Sequence, residues 1–150
     1  MKSVFERNSV NEILNRIDKL TPDTKAQWGK MSVSQMLAHC NVTYEMIYDN
    51  IHPKPNALMK FILKQFVKGK VVNEGSYPKN SPTAPQFLIK GDRDFLTEKK
   101  RLKEYMERTL QLGSASFENK ESHSFGKLSI AEWNNMMYKH LDHHLAQFGV

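Results

Sequence analysis

Residues 129–149, SIAEWNNMMYKHLDHHLAQFG, constrain this chain more than any other stretch. They read as one helix. Ser129 and Glu132 form a capping-box signature, and Gly149 stands where a helix stop is expected. At about 100° per residue, Ile130, Trp133, Met136, Met137 and Phe148 share one apolar stripe. His140 and His144 fall in the middle of that stripe, while Asn135, Lys139 and Asp142 fall on the opposite side, where water is expected. Leucine is the ordinary occupant of such central positions. Two imidazoles placed there need partners for their polar nitrogens, which the rest of the chain has to supply.

Upstream, the same period recurs. Ser9 and Glu12 make a capping box that opens a helix with Val10, Ile13, Leu14, Ile17 and Leu20 on one stripe, ended by Thr21-Pro22-Asp23. Ser32 and Gln35 open a second helix, running to about Asn50, with Val33, Met36, Leu37, Cys40, Tyr44 and Ile47 inward. His52-Pro53-Lys54-Pro55 stops it. Asn56 to Lys68 reads as a short helix rich in Met and Phe, crossed by Lys60, Lys64 and Lys68. Three places suit it: a membrane surface, a subunit interface, or the domain's own core. Lys70 to Gly91, with three prolines and two glycines, has no helical period and reads as a long crossover. Asp92 to Leu112 is a charged helix with Phe95, Leu102, Tyr105, Met106 and Leu110 inward, stopped by Gly113. No β-hairpin is evident. The expected fold is all-α: a single domain over residues 1–150, a four-helix bundle with one long crossover between its second and third main helices.

A chain of 150 residues is long enough for one sizeable core. Cys40 is the only cysteine, so no internal disulfide forms, and a cytoplasmic location is expected. The N-terminus lacks the apolar run of a signal peptide, and no segment has the 18 or so consecutive apolar residues of a membrane span. A net charge of +6 permits attraction to nucleic acid, but the lysines lie at helix-surface spacings, Lys99, Lys100 and Lys103 interleaved with Glu98, Glu104 and Glu107. No nucleic-acid-binding motif accompanies them, so a solvated face is the better reading.

Histidines four apart on a helix project from one face and can share a metal ion, or can hydrogen-bond separately to neighbours. A third ligand would favour the metal, and His39 is the candidate. It lies about 10 Å along its helix from the Ser32 cap, while His140 and His144 lie about 14 and 8 Å back from Gly149. Those depths coincide if the two helices run antiparallel and mismatch by about 8 Å if they run parallel. His143 sits at the edge of the apolar stripe, His123 is expected at the far end of the bundle, and His52 is expected to face solvent. Cys40 diverges from His39 by about 100° and reads as a buried, inert thiol. With no phosphate loop, nucleophile elbow or His-Glu-x-x-His present, catalysis by this chain would depend on the metal.

Trp28 ahead of Ser32-Val33-Ser34-Gln35-Met36-Leu37-Ala38-His39, and His140-x-x-x-His144 followed by Gln147, are similar to motifs of the DinB/YfiT-like superfamily of metal-dependent four-helix-bundle proteins. The stretch from His123 to Ser129, with Trp133 and Tyr138 to His144, resembles a DinB-like subfamily known only as a domain of unknown function, in which a proline usually stands where this chain has Ser124. The resemblance covers nearly the whole chain. It implies a divalent ion, zinc or nickel, held by His39, His140 and His144, with a coordination position left open. It further implies a metal-dependent enzyme acting on a small-molecule substrate: a transferase using a low-molecular-weight thiol, or a hydrolase. The alternative is a non-catalytic binding or stress-response module whose metal is structural or absent. A homodimer is the expected assembly.

Overall fold

The computed structural model describes residues 1–150. It is mainly helical, with α1 (Arg7–Asp18), α2 (Val33–Tyr48), α3 (Ala57–Phe66), α4 (Lys68–Val72), α5 (Phe95–Leu112) and α6 (Ile130–Gln147). A single antiparallel pair, β1 (Lys120–Ser122) and β2 (Gly126–Leu128), precedes α6. No helix is long and apolar enough to cross a membrane.

The four long helices pack side by side, and their contacts give the directions. Asn134 accepts from the Val4 N–H and Asp142 pairs with Arg16, so α1 and α6 run the same way. Asn41 reaches Glu98 and Tyr48 reaches Thr109, so α2 and α5 also run together. Arg7 meets Glu107 whereas Asp18 meets Lys103, which sets α1 against α5. Finally, Thr43 meets His140 while Trp28, ahead of α2, meets Gln147, which sets α2 against α6, as the depth matching requires. Between them lie Val10, Ile13, Met36, Leu37, Leu102, Trp133 and Leu141, all at most 1% exposed. Two neighbouring helices that run the same way, α2 and α5, need a long connection, and residues 49–94 are that connection.

Both capping boxes at Ser32/Gln35 and Ser129/Glu132 form with side-chain and backbone bonds reciprocated. The one expected at Ser9 does not. Helix α1 begins three residues earlier, at Arg7 rather than Val10, and Ser9 is buried within it, its hydroxyl taking the Ser3 N–H while Glu12 pairs with Lys2. The N-terminal segment folds onto α6 through Val4, and α1 starts from Glu6 with no side-chain cap. The hairpin also departs from the sequence expectation. Strands of three residues carry too little alternation to read; this one is anchored by buried Leu128, and its turn is closed by Ser122 Oγ, which accepts from Phe125 and donates to Gly126.

The side of α6 expected to be wet is covered in part, although Asp142 keeps its side chain 49% exposed. Lys139 is only 4% exposed, and its ammonium donates to the carbonyls of Lys70 and Asn73 and to Asn73 Oδ1. Asn135 donates to the Val72 carbonyl. Helix α4 therefore docks on α6 by giving its C-terminal carbonyls to one buried cation. Helix α3 is held more lightly. None of its residues is buried, and Leu58, Phe61, Ile62 and Phe66 are exposed on its outer face while Met59 and Leu63 line the cleft described below.

Candidate metal centre

His39 comes from the middle of α2 and His140 and His144 from successive turns of α6. Together they offer one ligand nitrogen each, all within 4.8 Å of one another. The imidazole pairs have ring centroids 4.5–4.9 Å apart. His39 and His144 are buried and His140 half-buried.

Each Nδ1 is engaged by a group outside the triad. His39 Nδ1 lies 2.9 Å from the Phe87 carbonyl oxygen, His140 Nδ1 lies 3.0 Å from Thr43 Oγ1, and His144 Nδ1 lies 2.8 Å from Gln147 Oε1. The carbonyls of Phe87 and Gln147 only accept, so His39 and His144 carry their protons on Nδ1 and keep the Nε2 lone pair free. Gln147 is itself fixed, donating through Nε2 to the Trp28 carbonyl at 2.7 Å. That contact requires a bare backbone at Gly29, where φ is +84° and an added Cβ would stand 2.5 Å from Gln147 Nε2.

His39 Nε2 and His140 Nε2 are 2.9 Å apart. Two lone pairs do not tolerate that separation without a positive centre between them. Thr43 resolves the protein-only state: its hydroxyl donates to His140 Nδ1, and His140 then donates from Nε2 to His39. The same hydroxyl accepts equally well from His140 Nδ1–H, which frees the third Nε2 for a cation. The donor set thus fits a divalent ion that takes neutral imidazoles.

Burial favours that neutral state. It lowers the pKa of all three histidines, His140 well below the ordinary value and His144 to about 3, with the neighbouring imidazoles adding to the effect on each of those two. Nitrogens free of protons at neutral pH are available to a metal.

A cleft of about 800 Å³ opens over the triad. Its walls come from α3, from the 77–87 excursion, from the hairpin and from one face of α6. His143 sits in it edge-on to Trp28 and Tyr77, 5.0 Å from the His144 ring. His123 lines it too, contrary to its expected place at the far end, because the hairpin folds the chain back; its Nε2 faces the His52 carbonyl. It does not join the triad. His52, expected in solvent, pairs with Glu45 at 2.7 Å with its side chain 18% exposed. Cys40 is buried, its thiol pKa raised by desolvation and its Sγ directed at Met36 Sδ, which fits an inert thiol. Sequence reasoning gave no supporting role to Thr43 or Phe87, and it placed Gln147 in the motif after His144 without assigning it a role.

Fold and site together define a mainly helical protein with a three-histidine group able to hold a metal ion. The chain belongs to the family described as "Protein of unknown function (DUF1569)", whose model matches residues 2–149. No curated protein and no solved structure matches it.

Proposed function

We propose that His39, His140 and His144 bind one divalent ion, zinc or nickel, through their Nε2 atoms, and that the protein is a metal-dependent enzyme acting on a small molecule admitted by the cleft. The helix directions support placing it among four-helix bundles of the DinB/YfiT-like type, with residues 49–94 as the crossover. One observation carries the reading: three buried or half-buried imidazoles converge while each Nδ1 is engaged elsewhere. Outer partners of this kind fix the tautomer and aim of metal-ligating histidines. Three protein ligands leave a coordination position open, which is the arrangement of catalytic sites. When bound, such an ion supplies Lewis acidity and lowers the pKa of a coordinated water or thiol. The protein's own part is to hold the ring nitrogens unprotonated and to enclose the reacting group. Either a thiol-dependent transfer or a hydrolysis fits that arrangement.

Metal analysis of the purified, metal-loaded chain should find one divalent ion per protein, and none in His140→Ala or His39→Ala. A metal-free wild type after loading would overturn the proposal. A non-catalytic binding module is the competing reading, favoured by the exposed apolar face of α3. Chelation separates the two: an intact fold with lost small-molecule binding marks a functional ion, and unfolding marks a structural one.

A further inference from the structure

The cleft over the triad is one-sided in its chemistry. Its walls include Lys30 and Lys54 and contain no aspartate or glutamate. A third cation, Lys79, holds its Nζ 4.3 Å from the ring centre of Trp28, close to His143. Two indole N–H groups in the walls, those of Trp28 and Trp133, are buried and meet no acceptor. Trp133 is only 1% exposed.

The cleft is also long. On α6 its wall runs from Trp133 through Met136 and His140 to His144, a rise of about 16 Å. Met59 and Leu63 of α3 and Phe125 of the hairpin supply apolar lining, beside which the hairpin brings His123, with Lys54 near it. At the His144 end stand the triad histidines, Trp28 and Lys30.

We propose that this cleft binds an elongated amphipathic anion, an apolar body about 10 Å long ending in a carboxylate or thiolate, with the acidic end at the histidines and the body lying toward Trp133. The placement of the acidic end rests on the proposed metal site. A neutral ligand would leave Lys30 and Lys54 without a countercharge. A cation would meet lysines with no carboxylate to offset them.

Trp28 and Trp133 are the chain's only tryptophans, so tryptophan emission, excited selectively over the five tyrosines, reports on residues of this cleft. Decanoate should give a saturable change in emission, with an affinity at least about tenfold above those of decanol and decylamine, and acetate should give none. Leu63→Glu, which puts a carboxylate among the apolar groups on a helix with no buried residue, should weaken decanoate about tenfold with an unchanged circular-dichroism melt. Decanol or decylamine binding as tightly as decanoate, an indifferent Leu63→Glu variant, or no saturable change would each overturn the proposal. Metal content measured on the same samples keeps the two readings apart. Metal bound without decanoate binding sinks the ligand alone. Decanoate bound by a chain that cannot be metal-loaded sinks the metal site, and with it the placement of the acidic end, while the selection for an apolar anion stands.

Discussion

Gln147 links the triad to the chain ahead of α2, accepting from His144 with one end of its amide and donating to Trp28 with the other. Truncating it to alanine leaves a buried imidazole N–H without its acceptor and frees the ring to turn. Gln147→Ala should therefore lower metal affinity by about 10–100-fold while leaving the helix content intact, as read by competition against a chromophoric chelator. Unchanged affinity would show that the amide does not position His144. Of this residue-scale design, the three imidazoles are legible in the amino-acid order, because position on a helix stripe and depth along the axis are functions of spacing. Their supports are not. Phe87 contributes only a carbonyl, which every residue possesses, so its identity carries no signal.

Among the elements, α4 and its junction with α6 depend on one side chain. Burial holds the Lys139 pKa below the ordinary lysine value, and its ammonium satisfies three acceptors at the C-terminal end of α4. Lys139→Met keeps the stem but removes the donors. It should cost about 1–3 kcal/mol in chemical denaturation and speed amide exchange in residues 68–73. An unaltered exchange rate there would mean that α4 is held by its apolar contacts alone. Helical periodicity placed this lysine on the side of α6 where water was expected, and the structure buries it instead. What covers that face depends on where α4 returns, and nothing local to α6 records it.

At the scale of the molecule, the buried histidines tie stability to pH. Their folded pKa values are depressed, so near neutrality neither the folded nor the unfolded chain protonates them appreciably. As pH falls below the ordinary histidine value of 6.5, the unfolded chain takes up protons that the folded one refuses, and stability drops. For His144 the loss continues until pH reaches about 3. Urea unfolding should thus show a plateau above pH 7 and a decline below 6.5, with a slope of up to about 1.4 kcal/mol per pH unit for each histidine. Stability that stays flat from pH 7 to 5 would show that the triad is open to solvent. Saturating metal should raise the plateau by binding only the folded chain.

The limits of α2 and α6, the main apolar stripes and the matching depths of His39, His140 and His144 followed from the amino-acid order alone, because hydrogen-bonding period, caps and rise per residue act within a few turns; the start of α1 and the existence of α4 did not. Lys139 under α4, the hairpin that carries His123 back to the cleft, the Phe87 carbonyl behind His39 and the unpaired indoles of the cleft came only with the tertiary structure. Each depends on where the chain between α2 and α5, or between α5 and α6, returns to α6. Such long-range closures are set by packing of the whole molecule, to which spacing along one helix contributes no information.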